Sequence, residues 1–203
     1  MTVTLGNYAS PTWGGIQEYS GGMTQKALLV TAPSSGRITS LGAWLAGWSG
    51  SVTAELVLWD YVTRAVLAHS ATFTVAQGGN GDPPHGYRYE YAPTVIPNVA
   101  AGQQLLVGFC CTPGSGGYEY PVNASGSGTH YEKKVTSWPG SMSGMASEPY
   151  KAGFYAILTP GGFVKVRRSG AWVDAPVYVL RGGAWVPASS VNVRRSGSWQ
   201  QPS

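Results

Sequence analysis

The stretch SVTAELVLWDY, residues 51–61, decides the fold of this chain. From Leu56 to Trp59 it is apolar at every position. Because successive residues of a β-strand point to opposite faces of a sheet, such a run places apolar side chains on both faces. The stretch LLVGF, residues 105–109, has the same character. We therefore predict that both runs are central strands that lie between two covering layers.

Further strand-like stretches surround this centre, each bounded by Gly, Pro, Asn, Asp or Ser. They are KALLVTA (26–32), RITSLGAWLAG (37–47), AVLAHSATFTV (65–75), YRYEYAPTVI (87–96), QQLLVGFCC (103–111) and GFYAILT (153–159). No segment repeats apolar residues at helical spacing over three turns. The pattern predicts an all-β fold: an antiparallel β-sandwich of the jelly-roll kind, with seven or eight strands in two sheets.

Composition agrees with this fold class, because the 203 residues include 29 glycines and 14 prolines and only 11% are charged. No run of 18 apolar residues exists, so we expect no membrane insertion, and the first ten residues lack the features of a signal peptide. The expected site of folding is a cytoplasm. Cys110 and Cys111 are adjacent, so their side chains should lie on opposite faces of one strand as buried thiols without a mutual disulfide.

The charge distribution divides the chain in two. Residues 1–160 contain seven basic and eight acidic residues, whereas residues 161–203 contain six basic residues and one acidic residue. The change falls at the turn-forming segment TPGG, residues 159–162. We predict a β-sandwich domain over 1–160 and a separate basic segment over 161–203.

This basic segment repeats itself three times between residues 164 and 200. Each copy has valines, then Ser-Gly or Gly-Gly, then a small residue and a tryptophan, which predicts three β-hairpins with primed turns. The predicted register pairs Arg167 with Trp172, Leu180 with Trp185 and Arg194 with Trp199. The segment holds too little apolar surface to fold alone, so we expect another polypeptide to cover it. The expected anchoring residues are Arg167, Trp172, Leu180, Arg181, Trp185, Arg194 and Trp199.

A catalytic constellation is not evident in the sequence, and we predict a protein that is not an enzyme and needs no cofactor or metal. His69, His85 and His130 are scattered and match no catalytic or zinc-binding motif. A glycosidase-like pair drawn from Asp60, Glu90 and Glu119 is the enzymatic alternative. Arg-Arg pairs could bind phosphates, but each pair supplies one arginine to each face of a strand, so protein partners are favoured over nucleic acid.

Aromatic residues cluster in the Gly/Ser-rich stretch 113–150, which we read as a long loop. Flat rings flanked by polar groups suit stacking on sugars. The candidate residues for contact with a cell-surface glycan are Tyr118, Tyr120, Tyr131, Trp138 and Tyr150. The alternative is that these rings fasten the loop to its sheet.

Two resemblances add to this reading. Residues 37–159 resemble jelly-roll or carbohydrate-binding-like sandwiches of phage tail and surface proteins, through a strand ending in LWD and the motif AGQQLLV. The VKVRRSGAWV pattern is similar to repeats near the C-termini of structural proteins of phages that infect actinobacteria. These resemblances imply a virion component and do not say where on the particle it lies. Within that class we favour a minor tail protein that attaches to host glycans, with other virion proteins as partners and a homotrimer as its assembly. The alternatives are a capsid decoration protein and an accessory cell-wall hydrolase.

Overall fold

The computed structural model describes most of the chain. The described residues are 2–8, 15–20, 24–49, 52–77, 87–113, 117–123, 129–134, 139–148, 151–161, 163–168, 171–181, 184–187, 193–195 and 198–200. All regular structure within them is β, and every strand pair is antiparallel. Two packed sheets form an antiparallel β-sandwich, as predicted.

The larger sheet of the sandwich has eight strands, in the path β1-β15-β4-β11-β14, with β2 beside β11 and with β8 and β9 beside β4. Its strands are β1 (Val3–Gly6), β2 (Gly15–Ser20), β4 (Gly36–Ser49), β8 (Tyr87–Tyr91), β9 (Asn98–Val99), β11 (Gly117–Asn123), β14 (Lys151–Ala152) and β15 (Phe154–Pro160).

The smaller sheet has seven strands, in the path β13-β12-β3-β10-β5-β6, with β7 beside β5. Its strands are β3 (Thr24–Thr31), β5 (Val52–Asp60), β6 (Val66–His69), β7 (Phe73–Val75), β10 (Gln104–Pro113), β12 (His130–Lys134) and β13 (Ala146–Glu148).

Strands β5 and β10 are the centre of the seven-stranded sheet, and both of their faces are buried, as the two apolar runs predict. Leu56 and Leu105 belong to the core between the two sheets. Val57 and Leu106 belong to a second cluster on the outer face of the same sheet. Because neighbouring residues alternate between these clusters, a one-residue change of register would exchange the two faces.

Residues 139–145 form the layer that covers this outer face. The Trp59 Nε1 donates to the Gly140 carbonyl at 2.8 Å, and the Gly140 amide donates to Gln25 Oε1 at 2.6 Å. Met142 is fully buried in the outer cluster. The second layer expected over β5 and β10 is therefore a loop and not a third sheet.

The number of strands differs from the prediction, because the two sheets contain fifteen described strands and not seven or eight. The stretch 65–75 divides into β6 and β7 around Ser70. The Ser70 Oγ accepts from the Leu56 amide at 3.0 Å, so a side chain replaces a backbone partner and interrupts the ladder. The stretch 113–150 contains β11, β12 and β13, so the prediction of one long loop there was wrong.

After Pro160 the chain forms three separate hairpins, each a two-stranded sheet. They are β16 (Phe163–Arg168) with β17 (Ala171–Pro176), β18 (Tyr178–Arg181) with β19 (Ala184–Pro187), and β20 (Val193–Arg195) with β21 (Ser198–Gln200). Their register pairs Arg167 with Trp172, Leu180 with Trp185 and Arg194 with Trp199. The predicted register of all three copies is confirmed.

Candidate functional site

Two of the predicted glycan-contact residues, Tyr118 and Tyr120, lie in β11 and are each 1% exposed. Their rings pack around Phe109, with centroid distances of 5.3 Å and 5.8 Å. The hydroxyls of Tyr118 and Thr24 are 2.6 Å apart. These rings fill the core and offer no face to a sugar, so their predicted position on a solvent-exposed loop was wrong. They were misplaced because their alternation with Glu119 marks a strand that the surrounding glycines and serines obscured.

Tyr131 lies in β12 and is 7% exposed, on the outer face of the seven-stranded sheet. Its hydroxyl donates to the Tyr61 hydroxyl at 3.3 Å. The pKa of Tyr131 is raised to about 12, mainly by burial and secondly by this hydrogen bond. The ring therefore packs on the outer face of its own sheet, within a strand and not within a loop. Trp138 and Tyr150 lie outside the described residues.

An aromatic and charged cluster does occupy the outer face of the eight-stranded sheet. It is built on a row that crosses four strands, in which Tyr155 lies between Gly6 and Gly42 and Glu90 follows. A Cβ atom on Gly42 would lie 2.0 Å from Cζ of Tyr155, so the missing side chain makes room for the ring. The Tyr155 hydroxyl donates to Glu90 Oε2 at 2.8 Å. The pKa of Tyr155 is raised, mainly by burial and secondly by this hydrogen bond.

Tyr8 and Arg88 complete this cluster at the surface. The Arg88 Nη1 donates to the Tyr8 hydroxyl at 2.7 Å, and the Tyr8 ring meets the Tyr155 ring edge to face at 4.9 Å. Tyr8 is 43% exposed, and both Arg88 and Glu90 are exposed. We call Tyr8, Arg88, Glu90 and Tyr155 the Tyr8 cluster. It combines an exposed ring, a guanidinium and a carboxylate, the groups that hold the apolar face and the hydroxyls of a sugar.

Sequence reasoning missed the Tyr8 cluster because its members come from residues 8, 88–90 and 155, with no shared motif. The alternation in YRYEY, residues 87–91, places Arg88 and Glu90 on one face of β8 and was visible in the sequence. Nothing in the sequence indicated that Tyr8 and Tyr155 would meet that face.

The titratable residues considered for catalysis are not brought together. On the seven-stranded sheet, His69 Nδ1 lies 3.0 Å from Glu55 Oε2 and 3.0 Å from the Ser70 carbonyl oxygen. His85 lies outside the described residues, as do the side chains of His130 and Glu119. Asp60 belongs to the seven-stranded sheet and Glu90 to the eight-stranded one. Among the described residues, no group of three or more His, Cys, Asp or Glu side chains is placed to hold a metal ion.

Asp60 has a local structural task. Its Oδ1 accepts from the backbone amides of Val62 at 3.0 Å and Thr63 at 2.7 Å. The bond from the Thr63 amide is the largest of the causes that lower the pKa of Asp60. The carboxylate therefore holds the turn between β5 and β6.

The two cysteines are free and buried on opposite faces of β10, Cys111 in the core between the sheets and Cys110 in the outer cluster, as predicted. Burial raises the pKa of Cys111 to about 12 and also raises that of Cys110. Both thiols are therefore protonated at neutral pH and poor nucleophiles.

The predicted anchoring residues occupy described backbone positions in the hairpins, but their side chains lie outside the described part of the chain. No protein-family model matches the chain, and a search of curated proteins finds no relative. Within the described residues, no helix has the length and hydrophobicity needed to cross a membrane.

Proposed function

We propose that this protein is a structural component of a phage virion, most specifically a minor tail protein that presents its sandwich to the host surface and is anchored by its C-terminal hairpins. The observation that carries the proposal is that the three repeats form three separate two-stranded sheets. The resemblance of the repeat to those of virion proteins points to the same class.

The physical argument begins with the contrast between the hairpins and the sandwich. The sandwich encloses its own core, whereas a single two-stranded hairpin is at best marginally stable in water. Three such hairpins with tryptophans and valines gain stability when another polypeptide covers them. Anchoring to virion proteins, within a homotrimer, supplies that cover.

The attachment role rests on the Tyr8 cluster. Two of the predicted aromatic residues lie in the core, and Tyr131 packs on its own sheet. Of the described surface, the exposed Tyr8 ring beside Arg88 and Glu90 best suits a saccharide. A sugar stacked on Tyr8 could accept hydrogen bonds from Arg88 and donate them to Glu90.

Counting the protein on purified particles tests the virion assignment. We expect immunogold labelling at the tail and a few to a few dozen copies per particle by quantitative gel analysis. Hundreds of copies on the head would replace the tail role with capsid decoration. Absence from particles would refute the virion assignment altogether.

Adsorption of particles to host cells tests the attachment role. We expect Tyr8→Ala to reduce the adsorption rate at least tenfold, while Tyr8→Phe, which keeps the ring, retains most of it. Tyr87→Ala is the matched control, because Tyr87 is 51% exposed and lies on the opposite face of β8 from Arg88. Equal adsorption by the Tyr8→Ala and control particles would refute attachment through this cluster.

A further inference from the structure

The register of the three hairpins defines an arginine position that all three share. The last residue before each turn is an arginine paired with a small residue. These pairs are Arg168 with Ala171, Arg181 with Ala184, and Arg195 with Ser198. The position one residue earlier, opposite the tryptophan, is not constant, because Leu180 stands there in the second hairpin.

The shared arginine has valine neighbours on its own face of each hairpin. Residues two apart along a strand share a face, so Val166 lies on the face of Arg168, Val179 on that of Arg181, and Val193 on that of Arg195. The partner strands add Val173 and Val186 to the first two faces, and Gln200 to the third. We call this the valine–arginine face. Its arginine, with a valine two residues before it, is common to all three copies, whereas on the other face the tryptophan is common and the residue opposite it varies.

Residues 161–203 contain too few acidic residues to neutralise these arginines. Its only acidic residue is Asp174, and Asp174 is paired across the first hairpin with Lys165. Five arginines therefore remain as the net charge of residues 161–203. A protein that pairs with these arginines would supply the carboxylates itself.

We propose that the three valine–arginine faces bind an acidic protein surface of the virion. For each hairpin, that surface would offer one carboxylate surrounded by apolar side chains. The proposal rests on the proposed virion function and names the chemistry of the anchor. An arginine pairs with a carboxylate through two parallel hydrogen bonds. Apolar side chains around that carboxylate would also cover the valines. The phosphodiester backbone of a nucleic acid is polar and cannot cover them in this way. Nucleic acid satisfies only the arginine half of the face.

Two double variants of the full chain separate the faces at equal charge. Arg168→Ala with Arg195→Ala removes two arginines from the valine–arginine faces, and Arg167→Ala with Arg194→Ala removes their sequence neighbours from the tryptophan faces. The measurement is binding of each purified protein to particles assembled without it, at 50 mM and 300 mM salt. Unchanged thermal unfolding shows that the sandwich of each variant is folded, and a far-ultraviolet circular dichroism spectrum equal to that of the wild type checks the hairpins.

We expect the first double variant to bind at least tenfold more weakly than the wild type. The second changes two of the anchoring residues predicted from the sequence, and we expect it to lose only about threefold. Equal losses in both variants would overturn the face-specific proposal and leave the virion function standing. Failure of the wild-type protein to bind particles would refute both. Tighter binding of the wild type to duplex DNA, weakened equally by both variants, would overturn the proposal in favour of phosphate. Self-association lost only in the first variant would replace the acidic virion protein with a second copy.

Discussion

The sandwich and the C-terminal hairpins use the same antiparallel pairing but obtain their stability differently. In the sandwich, β10 pairs with β3 and β5, so residues near 105 meet residues near 30 and near 60. In the hairpins, each strand pairs only with the next one along the chain. Distant pairing encloses two apolar clusters in the sandwich, whereas each described hairpin strand has a single paired neighbour. Two regions with the same strand pairing can therefore differ in whether they are stable without a partner.

The largest effect should come from the tryptophan that joins sheet and loop. We expect Trp59→Ala to lower the free energy of unfolding by about 3–5 kcal/mol, because it opens a cavity and removes the hydrogen bond to Gly140. Chemical denaturation followed by tyrosine fluorescence or circular dichroism measures it. Trp185→Ala in the second hairpin should leave the main transition in place. A comparable loss at Trp185 would break the distinction between the two regions.

A close contact between strands gives the next effect. A Cβ on Gly108 would lie 1.9 Å from the Lys26 carbonyl oxygen, so Gly108→Ala forces the backbones of β10 and β3 apart. We expect a loss of about 1–3 kcal/mol, measured by urea unfolding. Gly47→Ala in β4 is the control, since a Cβ there meets nothing nearer than 3.5 Å. Equal losses at both glycines would show that strand propensity, and not the contact, is responsible.

Alkaline pH should lower the free energy of unfolding of the sandwich. The size of this effect should not depend on the hairpins. The pKa of Cys111 is raised to about 12 from its usual value of 9.0, and burial raises the pKa of Tyr155 above its usual value of 10.0. The folded state therefore holds protons that the unfolded state releases. The stability from these groups is complete below pH 9 and falls as the pH rises toward 12, each group contributing at most about 1.4 kcal/mol per pH unit.

Denaturation midpoints between pH 8 and 11 measure this decline. Cys111→Ala should flatten it, and a chain that ends at Gly161 should show the same decline as the intact protein. A midpoint that stays constant up to pH 11 would contradict the assigned protonation of the buried groups.

The smallest effect should follow removal of the hairpins. A chain that ends at Gly161 keeps the hydrogen bond from the Gly161 amide to the Ser35 carbonyl at 3.2 Å. We expect its free energy of unfolding to match that of the intact chain within about 0.5 kcal/mol. Light scattering should show that the shortened chain lacks the proposed homotrimer. A shortened chain that melts well below the intact protein would show that the hairpins stabilise the sandwich directly.

Local pairing explains which parts of the structure the sequence predicts well. The hairpin register follows from the Ser-Gly and Gly-Gly turns, because two adjacent strands joined by a short turn have one favourable alignment. The central position of β5 and β10 follows from runs that are apolar on both faces. Tyr118 shows the limit, because its strand lies among glycines and its partner strands β2 and β4 begin about 100 and 80 residues earlier.

By itself, the sequence determined the fold class, the two central strands, the opposite burial of the two cysteines and the pairing inside each hairpin. These depend on side-chain alternation and turn chemistry, which act over a few residues. Only the tertiary structure decided that Tyr118 and Tyr120 enter the core and that Tyr8, Arg88, Glu90 and Tyr155 share one surface. Such groupings depend on which distant strands become neighbours, and that choice is made by burial of the whole core and not by any local pattern.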